Sequence, residues 1–146
     1  MARIIGIDYG TKRVGVAVSD DGQGFGFPKT VLPNDNLLME RLSAMAADEG
    51  VELFVVGESD NPLGGNNTVM RRIVLFAKAL ELRTEKRVVF VKESFSSAEA
   101  RRALLDKAKK RNERNDTPID AAAAAIILQK YLDTQVSYRE KNKKTE

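Results

Sequence analysis

The sequence predicts an α/β fold in which helices cover a five-stranded mixed sheet. Three short strands follow one another before residue 33, as in an antiparallel meander. Helical and strand patterns then alternate, which favours parallel strands in the remainder of the sheet. The 146 residues fit one domain, which we expect over residues 1–133. We expect residues 134–146 to be a charged, disordered tail, because they lack apolar periodicity.

The first three strands have distinct patterns. Residues 3–8 (RIIGID) form a short apolar run, and residues 13–19 alternate valines with small residues. The turn between them is short, so the two strands should form a hairpin. Residues 25–32 include Pro28, which an edge strand tolerates.

The spacing of apolar residues predicts a helix from about Asp35 and then a strand over residues 52–57. A turn-rich loop over residues 59–68 comes next. It is followed by a second helix from Val69 to Leu80 and a strand over residues 87–91. This succession of helices and strands completes the sheet.

Two further helices are predicted near the carboxyl end. Ser96 and Glu99 have the spacing of a capping box and start a third helix, which runs into a basic segment. Pro118 occupies the first position of a fourth helix. Its alanines at residues 121–125 would let that helix approach the sheet closely.

Composition excludes several classes of chemistry. The chain has no Cys and no His, so disulfide scaffolds, thiolate metal sites, serine-type triads and most zinc sites are excluded. It also lacks an apolar run long enough for a transmembrane helix and a signal-peptide pattern. We expect a cytoplasmic protein without a membrane partner, whose chemistry uses carboxylates, Lys, hydroxyl groups or a hard metal ion.

The charge is unevenly distributed. Lys and Arg number 24 against 21 Asp and Glu, a net charge of +3, yet residues 101–114 alone hold seven basic and two acidic residues. A basic segment beside an acidic body is typical of a nucleic-acid-binding protein with a carboxylate metal centre. A solvated charged face is the alternative. The candidate phosphate-binding residues of this segment are Arg101, Arg102, Lys107, Lys109, Lys110, Arg111 and Arg114.

Four acids lie at strand ends or at a helix start. Asp8 ends the first strand, Glu58 and Glu93 follow the fourth and fifth, and Asp120 lies in the first turn of the last helix. Converging carboxylates repel each other unless a cation lies between them, and oxygen ligands without His or Cys favour Mg²⁺ or Mn²⁺. Each acid also has a structural interpretation, as a turn residue, an exposed strand end or a helix-dipole acid.

The turn after Asp8 could hold phosphate. Gly10 permits close backbone approach, Thr11 offers a hydroxyl, and Lys12 and Arg13 offer positive charge. A polar hairpin turn would accept the same residues. An acid followed by a Gly-Thr turn also begins the first phosphate loop of actin-like ATPases, but those proteins need two such lobes.

Residues 4–20, IIGIDYGTKRVGVAVSD, resemble the amino-terminal signature of the YqgF family of bacterial Holliday junction resolvases or pre-16S rRNA nucleases. Residues 53–57, 91–104 and 119–133 are similar to further segments of that family. The resemblance implies a ribonuclease H-like fold and a divalent-metal nuclease. Carried over by position, its catalytic and metal-binding acids are Asp8, Glu93 and Asp120.

Two departures from the family pattern concern the site. Family members often have Asp-Glu-Arg where this chain has Lys92-Glu93-Ser94. The loop after the fourth strand starts with Glu58 instead of Pro, so Glu58 is a further candidate metal ligand.

The first hypothesis is therefore a hydrolase that cleaves structured RNA in 5′-end processing of pre-16S rRNA. The alternatives are a Holliday junction resolvase acting on branched DNA and a catalytically weak RNA-binding factor in ribosome assembly. A resolvase must cut two strands symmetrically and should be a homodimer. The sequence is compatible with a monomer or a homodimer.

Overall fold

Five strands form one mixed sheet in the computed structural model, which describes residues 2–59, 68–92, 106 and 118–144. The strands are β1 (Arg3–Tyr9), β2 (Arg13–Ser19), β3 (Gly26–Pro33), β4 (Val51–Glu58) and β5 (Arg87–Lys92). The helices of these ranges are α1 (Leu38–Glu49), α2 (Thr68–Thr84) and α3 (Ile119–Lys144). The helix predicted from Ser96 and nearly all of the basic segment lie outside the described residues.

The strand order is β3-β2-β1-β4-β5, with β1 in the centre. β2 pairs antiparallel with both β1 and β3, whereas β1, β4 and β5 run parallel. The predicted fold class is confirmed, including the change from antiparallel to parallel pairing. Because β1, β4 and β5 are parallel neighbours, their carboxyl ends share one edge of the sheet.

A tight turn joins β1 to β2. A Cβ at Gly10 would lie 2.3 Å from the backbone oxygen of Arg13, so this turn excludes any larger residue. Asn34 fixes the turn from the end of β3: its amide nitrogen donates to the Gly10 oxygen at 2.8 Å and its backbone N–H donates to the Lys12 oxygen at 2.9 Å. Two hydrogen bonds from Asn34, one from its side chain and one from its backbone, therefore hold the turn.

Each face of the sheet has its own apolar layer. On one face, Ile5, Ile7 and Phe54 are fully buried against α1 and α2. On the other face, Ile4, Ala17 and Val55 are buried against α3. Alternate residues of β1 thus face opposite layers, as the strand geometry requires.

Small residues let α3 lie unusually close to the sheet. A Cβ at Gly6 would lie 2.6 Å from the Leu128 Cβ, and Ala121 to Ala125 are all buried. The close approach predicted from the alanines is thus present. None of the described helices is long and apolar enough to cross a membrane.

The helix α3 continues to Lys144, so the expectation of a disordered tail differs from the structure over residues 134–144. The chain has no Gly or Pro after Pro118 to end the helix. Its last residues are mostly Lys, Arg, Glu and Gln, which have good helix propensity. Apolar periodicity was therefore a poor guide here, because a helix anchored by its first turns propagates without it.

Candidate active site

Asp8 lies near the carboxyl end of the central strand, on the face that α3 covers. Gly6 meets Leu128 of α3, whereas Ile7 is buried in the layer under α1 and α2. Since side chains alternate along a strand, Asp8 points to the α3 side. On the opposite face, the next residue, Tyr9, packs its ring 4.8 Å from that of Phe76. This aromatic contact anchors the end of β1 that carries Asp8.

The first turn of α3 brings Asp120 to the same place. Asp8 is paired with Gly15 across the β1–β2 ladder, and a Cβ at Gly15 would lie 1.9 Å from the Asp120 backbone oxygen. Paired residues in an antiparallel ladder have Cα atoms about 4.5–5.5 Å apart. Gly15 therefore seats the backbone of Asp120 beside the strand position opposite Asp8.

Arg13 is the cation next to this pair of acids. Its Nε donates to Oδ2 of Asp120 at 3.2 Å, which links the start of β2 to the start of α3. The Arg13 side chain is 69% exposed and that of Asp120 is 33% exposed. Both side chains of this ion pair are therefore in contact with solvent.

Lys12 and Thr11 lie beside Arg13 on the exposed turn. Within the described part of the chain, Lys12 makes no ion pair. The turn therefore presents one cation engaged by Asp120 and a second cation directed to solvent, next to the two acids.

The other two predicted acids are not joined to this pair. In β4, Phe54 and Val56 face α1 and α2 while Val55 faces α3, so alternation places Glu58 on the face opposite Asp8. The structure therefore does not bring Glu58, the further candidate ligand, to Asp8 and Asp120.

Glu93 lies outside the described residues, directly after the end of β5. The Nζ of Lys130 in α3 donates to the backbone oxygen of Lys92, the last residue of β5.

Asp8 and Asp120 supply only carboxylate oxygens, which suit a hard divalent cation such as Mg²⁺ or Mn²⁺. The described residues contain no group of three or more acids, His or Cys that could hold a metal ion. Asp8 and Asp120 thus offer the kind of ligand that such an ion prefers, and the metal site stays a prediction.

Clear shifts of carboxyl pKa occur away from this site. The Lys29 ammonium lowers the pKa of Glu49, and Arg3 adds to this effect. Backbone N–H groups of Phe25 and Gly24 lower the pKa of Asp20. These contacts hold loops and the edge strand in place, so they are structural.

Sequence reasoning missed Asn34 and Gln129, two amides that position the site. Asn34 fixes the turn between β1 and β2. The Gln129 side chain accepts a hydrogen bond from the Gly26 N–H at 2.9 Å and donates one to the Gly24 oxygen at 3.1 Å, which ties α3 to β3. A polar residue inside the apolar run IILQKYL was the available signal for Gln129.

Two structures of Holliday junction resolvases share this fold. RuvC from Thermus thermophilus, in complex with a Holliday junction, superposes with a TM-score of 0.64 at 15% identity, over 92% of this chain and 96% of that one. The fowlpox virus resolvase, also in complex with Holliday junction DNA, gives a TM-score of 0.62 at 13% identity, over 91% and 98%. The fold is thus ribonuclease H-like, as the sequence resemblance implied.

Two curated relatives cover nearly the whole chain. The protein named "Putative pre-16S rRNA nuclease" in Bacteroides fragilis is 36% identical over 140 residues, which is 92% of this chain and 99% of that protein. A protein of the same name in Chlorobaculum tepidum is 39% identical over 136 residues, or 90% and 94%.

Fold and relatives together define the class of protein, a nuclease with a ribonuclease H-like fold. A family model described as RuvX, Holliday junction resolvase, matches residues 2–134. The chain belongs to the RuvX family, and its resemblance to the YqgF family is confirmed.

Proposed function

We propose that this protein is a divalent-metal nuclease that hydrolyses phosphodiester bonds of structured RNA in 5′-end processing of pre-16S rRNA in the cytoplasm. The observation that carries the proposal is the seating of Asp120 on Gly15, opposite Asp8. Two acids from distant parts of the chain meet there on an open face. The names of the relatives from B. fragilis and C. tepidum support the RNA substrate.

In this proposal, Asp8, Asp120 and Glu93 hold Mg²⁺ or Mn²⁺. When bound, such ions activate the attacking water and stabilise the leaving oxygen of a phosphodiester. The protein's contribution is to fix its carboxylates: the ladder pairing of Asp8 with Gly15 and the close approach of α3 set their backbones. Glu93 enters by its place in the chain, one residue beyond the β5 end that neighbours the end of β4.

Phosphate binding is assigned to two basic regions. Lys12 and Arg13 lie beside the acids, where the phosphate next to the scissile bond would pass. The basic side chains of residues 101–114 supply further backbone contacts, which position nucleic acid without reading its sequence. A substrate held in this way must be recognised by its shape and by its path across the sheet edge.

The test replaces Asp8 by Asn and measures both cleavage and binding of a precursor rRNA fragment in Mn²⁺. We expect cleavage to fall by at least about 100-fold while binding of the RNA persists, because the change removes a metal ligand and keeps the shape. Asp48→Asn is the control, since Asp48 is exposed on α1, which packs on the opposite face. Unchanged cleavage and unchanged Mn²⁺ binding in Asp8→Asn would contradict the proposal.

A junction resolvase is the second candidate, favoured by the family description and by the fold shared with RuvC. A four-way DNA junction, assayed beside the rRNA fragment under the same conditions, separates the two. Cleavage of the junction alone, by a dimer, would assign the protein to branched DNA.

A further inference from the structure

We propose that Arg13 is a positioning residue that changes partner: it holds Asp120 while the metal site is empty and turns to a substrate phosphate when a divalent ion takes that carboxylate. Metal and nucleic acid would then strengthen each other's binding. The inference rests on the proposed metal site and deepens it.

The contact between the two side chains is suited to exchange. A single hydrogen bond, from Nε of Arg13 to Oδ2 of Asp120 at 3.2 Å, joins them. The side chain of Arg13 makes no other hydrogen bond with the described residues, and 69% of its surface is exposed. A guanidinium has five N–H donors, so most of its capacity to bind phosphate oxygens stays unused.

The ion pair is also weak enough for a metal ion to displace it. Both partners are in contact with solvent, and exposed pairs of this kind change an equilibrium by only about two- to five-fold. A divalent ion held by several carboxylates binds far more strongly than that. The same carboxylate cannot be fully available to Arg13 and to a metal ion at once.

The exchange needs only side-chain rotation. The backbone of Asp120 is fixed against Gly15, and the turn that leads to Arg13 is fixed by Asn34. Arg13 is the first residue of β2 and lies on the same exposed turn as Lys12. A rotated guanidinium would join Lys12 on the substrate side while both backbones stay in place.

Two simpler roles for Arg13 make different predictions. If Arg13 oriented Asp120 for the metal, its removal would weaken metal binding. If it were a permanent phosphate ligand, its contribution to RNA binding would not depend on Asp120. Under exchange, removal of Arg13 strengthens metal binding, and removal of the Asp120 charge releases Arg13 for RNA. Coupling of this kind is reciprocal between the two ligands.

The first measurement is a calorimetric titration of the full chain with Mn²⁺ in the absence of nucleic acid. We expect Arg13→Gln to lower the Kd for Mn²⁺ by about two- to five-fold. Lys12→Gln is the matched control: it removes the same charge from the same turn but breaks no ion pair with a described residue, so its effect should be smaller. If the Kd of Arg13→Gln for Mn²⁺ is equal to or higher than that of Lys12→Gln, the exchange is wrong, although the proposed metal site is not.

The second measurement is the binding of a labelled precursor rRNA fragment in EDTA. We expect Asp120→Asn to bind this RNA more tightly than Glu58→Gln, although each removes one negative charge from the same end of the sheet. This gain in affinity for the RNA should be lost in the double variant Arg13→Gln/Asp120→Asn. Equal affinities of the two single variants would overturn the exchange.

The two proposals fail in distinguishable ways. If the unmodified protein does not bind Mn²⁺, both the metal site and the exchange are wrong. If it binds Mn²⁺ and Arg13→Gln does not bind it more tightly than Lys12→Gln, the metal site stands and only the exchange is wrong.

Discussion

Gly15 and Asp120 are in backbone contact: a Cβ on Gly15 would lie 1.9 Å from the Asp120 oxygen. These residues belong to β2 and to the first turn of α3, and they are more than 100 positions apart in the chain. Gly15 also pairs with Asp8 in the sheet. The close packing at this glycine thus places the backbone of Asp120 beside the strand position opposite Asp8.

Replacing Gly15 by Ala should therefore both destabilise the protein and weaken its proposed metal site. Overpacking of this kind costs about 1–3 kcal/mol or more, because the start of α3 must move away from the sheet. Urea denaturation and Mn²⁺ titration would measure the two effects. Gly24→Ala is the control, since a Cβ there meets nothing within 4 Å. A Gly15→Ala protein with unchanged stability would contradict this close contact between β2 and α3.

Gln129→Ala should loosen the edge strand β3 from α3. The change leaves the Gly26 N–H and the Gly24 oxygen without their side-chain partner, which costs about 1–3 kcal/mol. We expect faster hydrogen exchange at the Gly26 amide as well as lower stability. Gln135→Ala serves for comparison, because that glutamine of the same helix makes no side-chain hydrogen bond with the described residues. Equal rates of hydrogen exchange at the Gly26 amide in both variants would contradict the role of Gln129 in holding β3 to α3.

Glu49 should make the protein less stable in acid. Lys29 and Arg3 lower the pKa of this carboxyl below its ordinary value of 4.5. A depressed pKa means that the carboxylate stabilises the fold above pH 4.5 and that this stability is lost as the pH falls through the folded-state pKa.

Glu49→Gln should thus lower the free energy of unfolding by about 1–3 kcal/mol at pH 7 and make it less dependent on pH below 4.5. Urea denaturation at several pH values would measure this. Asp48→Asn, a change at the exposed neighbouring residue, should leave the profile of the unmodified protein intact. A Glu49→Gln profile that stays parallel to that of the unmodified protein would refute the assignment.

The basic segment should make RNA binding depend on salt. If Lys107, Lys109 and Lys110 each contact a phosphate, the triple change to Gln should reduce the slope of log affinity against log salt by about 2–3. The matched control changes Lys141, Lys143 and Lys144, three lysines near the end of α3, to Gln. Fluorescence anisotropy at a series of salt concentrations gives both slopes. If the variant of Lys107, Lys109 and Lys110 keeps the slope of the unmodified protein, these three lysines do not contact the RNA backbone.

Much of the fold could be predicted from local patterns. The valine alternation of β2 and the short turn before it predicted the hairpin, and Pro28 predicted an edge strand. Glu58 shows the limit of this reasoning. The sequence places it at a strand end, as it does Asp8, but a shift of one position along a strand turns a side chain to the opposite face. The length of α3 was also missed, because helix propagation needs no apolar stripe once the first turns are packed.

The sequence by itself determined the five-stranded mixed sheet, the oxygen-only chemistry that follows from the absence of His and Cys, and Asp8 and Asp120 as candidate acids. The tertiary structure decided that these two acids share a face, that Glu58 does not, and that Arg13 is bonded to Asp120. The physical reason is that local patterns fix which residues form each strand and helix. The contact of α3 with Gly15 depends instead on close packing between segments distant in sequence, and no local pattern contains it.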